Sequence, residues 1–109
     1  MSADYYIHCS GCGERINLNV TFNLSEMLAA AGFPAHDGRA DWEALVGLTG
    51  RDAEATLSLV SANLRETPDK YKLMNPPNGW GSYTGALAFI EEFASLCRLN
   101  PDSVIEGWL

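Results

Sequence analysis

The chain has little basic charge, few cysteines, few histidines and no long apolar run, and each shortage excludes something. Lysine and arginine together number 7 against 14 acidic residues, a formal net charge of -7. A surface of that sign repels a phosphate backbone, so direct binding to a nucleic-acid backbone is not expected. No stretch of about 18 apolar residues occurs, so no membrane-spanning helix is expected. The start, Met1-Ser2-Ala3-Asp4, is neither basic nor followed by an apolar segment, so no secretory signal is read there. With no signal and only 3 cysteines, an odd number, reduced thiols in a bacterial cytoplasm are expected rather than a disulfide scaffold. Gly-x-Ser-x-Gly, His-Glu-x-x-His and a phosphate-binding glycine loop are all missing, so no familiar catalytic motif is available.

What is present fits one domain over residues 1–109. Apolar residues make up 47% of the chain, enough for a core. Tyr5 to His8 favours a strand, and Cys9-Ser10-Gly11-Cys12-Gly13 reads as a tight turn. From Arg15 to Asn23 the pattern alternates strictly. Ile16, Leu18, Val20 and Phe22 fall on one side; Arg15, Asn17, Asn19, Thr21 and Asn23 fall on the other. The two strands predict an antiparallel hairpin. Asn23 with Glu26 predicts a capping box for a short helix that buries Met27, Leu28 and Ala31 and stops at Gly32. Phe33 to Ala40 reads as a loop, and Asp41 to Val46 as one or two helical turns.

Thr49 with Asp52 predicts the start of a longer helix, whose buried stripe is Ala53, Leu57, Val60 and Leu64. Pro68 opens a short turn carrying Tyr71. Ala86, Phe89, Ile90, Phe93, Leu96 and Cys97 form the clearest helical stripe, capped by Ser82 or Thr84. Asn100-Pro101-Asp102 is a turn before a last strand, Ser103 to Leu109. The expected fold is α+β: a small antiparallel sheet of about three strands, packed on one face by two main helices plus short ones. The other face stays open.

Two features stand out against that scaffold. The first is Asn75-Pro76-Pro77-Asn78-Gly79-Trp80-Gly81-Ser82-Tyr83, a loop stiffened by two prolines and bent by two glycines. Such a loop presents or docks something, and Trp80, between two glycines, is its candidate contact. The second is the polar row on the second strand, spaced about 7 Å apart. Asparagine is disfavoured in strands, so three on one face call for a reason. One reading is a hydrogen-bonding platform, since an amide both donates and accepts. The other is a solvated face whose amides bond the Asn75 to Tyr83 loop. If the loop folds over the strand, the two merge into a pocket walled by Trp80. The candidate binding residues are Arg15, Asn17, Asn19, Thr21, Asn23, Asn75, Asn78, Trp80 and Tyr83. Trp42 and Trp108 are expected in the core or at its rim.

Cys9 and Cys12 have the spacing of one zinc knuckle, but a structural site needs four ligands and only His8, His36 and Cys97 remain as soft donors. No cofactor is therefore expected, with zinc as the one candidate. A thioredoxin-type pair would open a helix after a strand, and this pair sits between two strands. His8 and His36 are the only candidate bases, which leaves a small hydrolase or transferase as an alternative.

The Asn75 to Tyr83 loop, the Ala86 to Cys97 helix, the strand after Pro101 and the run Asn19, Thr21, Asn23 resemble a group of small uncharacterised proteins of bacteriophages and prophages. The resemblance covers the first strand region and the last third of the chain, not Phe33 to Thr67 or the cysteine turn. It implies no defined activity. It implies accessory work in a host cytoplasm: binding a host protein, with inhibition of a host defence complex as one form. A binding protein for a small polar or nucleotide-like ligand is the other non-enzymatic reading.

Overall fold

The computed structural model describes residues 2–109. It is α+β, with a three-stranded antiparallel sheet and four α-helices. Strands β1 (Ser2–His8) and β2 (Arg15–Thr21) form the hairpin, in unbroken register from Ser2 opposite Thr21 to His8 opposite Arg15. Then come α1 (Ser25–Ala30) and a two-residue hairpin, β3 (Ala35–His36) with β4 (Arg39–Ala40). They are followed by α2 (Gly50–Glu66), α3 (Pro68–Lys72), α4 (Tyr83–Leu99) and β5 (Glu106–Trp108). The sheet order is β2-β1-β5, so β1 is central and β2 is an edge strand.

The period-two pattern of β1 explains its place. Ala3, Tyr5 and Ile7 are fully buried, while Asp4 and Tyr6 point to the other face. The strand therefore starts three residues before the expected Tyr5. Tyr5 meets the Phe93 ring at 5.1 Å, and its hydroxyl donates to the Trp42 carbonyl. From β2, Leu18 and Val20 join this core. The helices supply the rest through Ala53, Leu57, Val60 and Leu64 on α2, and Ala86, Phe89, Ile90, Phe93 and Cys97 on α4. Caps fix both starts: Thr49 Oγ1 accepts from the Asp52 N–H, and Ser82 Oγ accepts from the Gly85 N–H.

Several boundaries differ from the sequence expectation, each for a local reason. β2 ends at Thr21 rather than Asn23. Thr21 Oγ1 accepts from the Asn23 N–H and starts a 3₁₀ turn, Phe22–Leu24, so Asn23 is not a helix cap. Helix α1 begins at Ser25 with no side-chain cap. The loop before Asp41 holds the β3–β4 hairpin, and Asp41 caps a 3₁₀ turn, Trp42–Leu45. The last strand shrinks to Glu106–Trp108 because Val104 pairs with Thr49 instead, in an isolated bridge. Trp108 is not at the core; it is 68% exposed, opposite Asp4 on the open face of the sheet.

No helix among the described residues is long and apolar enough to cross a membrane.

Candidate functional site

The proline-glycine hook and the amide row are neighbours. The hook leaves α3 and is built by its own side chains. The Gly79 N–H donates to Pro76 C=O at 3.2 Å, closing a turn, and Asn78 Oδ1 accepts from the Trp80 N–H at 2.9 Å. Asn75 Oδ1 accepts from the Tyr83 N–H at 2.7 Å, at the first turn of α4. Gly81 has φ +106, and a Cβ there would stand 2.9 Å from Thr21 Cγ2 and 3.2 Å from two Leu24 side-chain atoms. Only glycine allows both the conformation and the approach. Between the hook and the sheet lies an open cleft of about 500 Å³, lined by Ser2, Asn19, Thr21, Asn23 and Trp80. Trp80 is 71% exposed.

The amides of the row are oriented by Asp4, one strand away. Its Oδ1 accepts from Asn19 Nδ2 at 2.9 Å and from Asn17 Nδ2 at 3.2 Å. A carboxylate can only accept, so the NH₂ end of each amide must face it. Asn19 Nδ2 also reaches Ser2 Oγ at 3.1 Å. The donors of Asn17 and Asn19 are thus engaged within the protein, and their carbonyl oxygens are left for a ligand. The amides do not offer donor and acceptor equally, as their chemistry alone suggests. The Asn23 side chain has no hydrogen-bond partner among the described residues and faces the cleft. It also borders a second cleft of about 250 Å³ on the other side of the hook, with Arg39, Met74, Pro76 and Asn78.

Not every candidate belongs to this surface. Tyr83 is a correction: it is buried, and its hydroxyl donates to Leu64 C=O at 2.7 Å, so it anchors α4 to α2 and offers no contact to a partner. Through their side-chain oxygens, Asn75 and Asn78 brace the hook. Arg15 stands at the opposite end of β2, about 20 Å of strand away from Thr21. Its guanidinium lies 3.7 Å over the Tyr6 ring, and its Nε is 3.5 Å from Glu106 Oε1. His8 Nε2 is 3.2 Å from the same Glu106 oxygen, and His36 Nε2 is 3.3 Å from Asp37 Oδ2. Both histidines are surface residues, and neither lines a cleft at the hook.

Sequence reasoning missed Asp4 and Ser2. The alternation Ala3-Asp4-Tyr5-Tyr6-Ile7-His8 carries the signal, since an apolar, polar, apolar pattern from residue 3 extends the first strand and turns Asp4 toward the amides. Cys9 and Cys12 lie at the far end of the hairpin, and no group of three or more His, Cys, Asp or Glu side chains that could hold a metal gathers among the described residues.

No family model, curated protein or solved structure matches the chain significantly.

Proposed function

We propose that this chain is a non-enzymatic binding protein, and that its partner is another protein docked at the cleft between Trp80 and the amide row. The observation that carries this reading is a Trp side chain held in the open, on a loop braced by its own asparagines, directly beside a row of oriented amides. A pre-ordered, exposed Trp gives a large contact area at little ordering cost, the property of binding hot spots. The Asn19 amide donates to Asp4 and Ser2, which leaves its carbonyl oxygen as an acceptor on the floor of the cleft. The partner therefore contributes donors: backbone N–H groups, lysine or arginine. A net charge of -7 favours the encounter with a basic face.

Of the two binding readings, the protein partner is favoured over a small polar or nucleotide-like ligand by the openness of the cleft. A small ligand needs most of its surface enclosed, and this cleft has one wall and a floor. The enzymatic reading through His8 or His36 lacks a base inside a cleft. The resemblance to phage and prophage proteins supports reading it as a phage-type accessory protein that acts on a host protein in a bacterial cytoplasm, with inhibition of a host defence complex as one form of such work.

Affinity capture from bacterial lysate tests the reading. The control is a triple variant, Asn19→Ala, Asn23→Ala and Trp80→Ala, matched to wild type by circular dichroism. At least one protein retained by wild type and lost from the variant is expected; identical capture by both overturns the reading.

A further inference from the structure

The turn between β1 and β2 lies at the end of the sheet away from Trp80, and it holds two thiols in a defined arrangement. Cys9 N–H donates to Glu14 C=O at 2.8 Å, and Gly13 N–H donates to Cys9 C=O at 2.8 Å. The second bond closes a turn of helical type. Helical geometry then places the Cα atoms of Cys9 and Cys12 about 5 Å apart, inside the range of about 4.4–6.8 Å that a disulfide bridges. Gly13, at φ +74, carries the chain out of the turn toward β2. The turn is also pinned from the body of the protein. Ser10 N–H donates at 2.7 Å to Oδ1 of Asn100, which is 5% exposed and whose Nδ2 donates to Leu96 C=O at 2.9 Å.

Both sulfurs are accessible, Cys9 half-buried and Cys12 exposed. The Cys12 N–H, the Cys12 thiol and the Gly11 N–H all direct hydrogen toward the Cys9 sulfur and lower its pKa; slight burial and the Glu14 carboxylate oppose them without reversing the direction. The third thiol is the internal contrast. Cys97 is buried, and desolvation first and the Glu54 carboxylate second push it up to about 12. Cys9 is therefore the thiol readied to act as a thiolate, with Cys12 beside it, and the buried Cys97 is silenced.

We propose that Cys9 and Cys12 form a redox-active dithiol that exchanges with low-molecular-weight disulfides of the glutathione type. The Cys9 thiolate attacks one sulfur of the external disulfide. A Cys9–glutathione mixed disulfide forms, the external S–S bond breaks, and one glutathione thiolate leaves. Cys12 passes its proton to the released glutathione thiolate, and the Cys12 thiolate attacks the Cys9 sulfur. The mixed disulfide breaks, the second glutathione thiolate leaves, and the Cys9–Cys12 bridge remains. Two protein thiols are oxidised and one external disulfide is reduced to two thiols. This site is separate from the Trp80 cleft and does not depend on the function proposed there.

The test is to incubate the reduced full chain with equimolar reduced and oxidised glutathione, quench by alkylation and map the products by mass spectrometry. Wild type is expected to form the Cys9–Cys12 bridge while Cys97 stays alkylatable only after unfolding. Cys12→Ser is expected to accumulate a glutathione adduct on Cys9, several-fold faster than Cys9→Ser accumulates one on Cys12. Persistence of both thiols in wild type, a bridge to Cys97 or between chains, or an equal or faster adduct on Cys12 overturns the proposal. Should a serine variant fail to fold by circular dichroism, brief alkylation of reduced wild type gives the same ranking: Cys9 labelled ahead of the more exposed Cys12 supports it, and the reverse order overturns it.

Discussion

Gly81 lies so close to Thr21 that no side chain fits between them: a Cβ on Gly81 would stand 2.9 Å from Thr21 Cγ2. This contact joins the hook to the last residue of the amide strand. It sets where Trp80 stands relative to Asn19 and Asn23, and hence the width of the cleft. Thr21 holds its own place by accepting the Asn23 N–H at 3.3 Å, so one threonine ends the strand, starts the 3₁₀ turn and seats the loop.

Gly81→Ala therefore separates loop attachment from loop stiffness when compared with Gly79→Ala. Both glycines have positive φ, +106 and +77, but a Cβ on Gly79 meets nothing within 4 Å. Gly79→Ala is expected to cost about 1 kcal/mol, the left-handed penalty alone. Gly81→Ala adds the clash with Thr21 and Leu24, for about 2–4 kcal/mol in total. Urea denaturation of both variants checks the difference. Equal losses would mean the hook is not seated on Thr21.

The main elements were legible in the sequence because they repeat a period. The Arg15 to Asn23 alternation, the Ala53 to Leu64 stripe and the Ala86 to Cys97 stripe each commit several residues to one face, and all three elements form. What escaped was set by single contacts. The side chain of Thr21, rather than Asn23, found the free N–H, and Val104 turned away to pair with Thr49. Of the site, the sequence left the juxtaposition of hook and row open as a condition on how the loop folds, and the structure seats the hook beside the row. The roles inside it were not legible. Nothing in the spacing distinguishes Asn75 and Asn78, which bond the hook's own backbone, from Asn19, which lines the cleft. Tyr83 looked like a loop residue but is the first residue of α4, where its ring turns into the core.

Trp80 and Tyr83 should respond to substitution in opposite ways. Trp80→Ala removes an exposed side chain and is expected to change stability by no more than about 0.5 kcal/mol, while abolishing capture of any partner that uses the cleft. Tyr83→Phe leaves the buried Leu64 carbonyl without its 2.7 Å donor. It is expected to cost about 1–2 kcal/mol with capture retained. Thermal melts and pull-down on the same two variants check both halves.

Gly50 opens α2 where that helix passes the end of α4. A Cβ there would lie 2.4 Å from the Asn100 carbonyl oxygen and 2.8 Å from that of Cys97. Alanine gains about 1 kcal/mol in helix propensity over glycine. The obstacle here is backbone, which cannot swing aside, so the clash dominates. Gly50→Ala is expected to be net destabilising by about 2 kcal/mol or more, measured as a drop in denaturation midpoint. A midpoint that rises would show that the α2–α4 junction is looser than these distances.

Alkali should destabilise the fold through its buried acids, and Cys97 makes this measurable. Its thiol is raised from an ordinary value of 9.0 to about 12, by burial first and by Glu54 second. A raised thiol pKa means that the folded chain holds the proton where the unfolded chain has lost it. Its contribution to stability is therefore complete below pH 9 and falls as pH rises from there toward 12. Across that window the unfolded chain carries up to one proton fewer, a slope of about 1.4 kcal/mol per pH unit from this group. Tyr5, also raised by burial and by Asp41, adds a similar loss beginning near pH 10. Cys97→Ala removes the thiol's share only. Urea titrations of wild type and Cys97→Ala at pH 8, 9, 10 and 11 should show the two stabilities converging as pH rises, because wild type falls more steeply. Parallel curves would mean that the buried thiol ionises as easily in the fold as outside it.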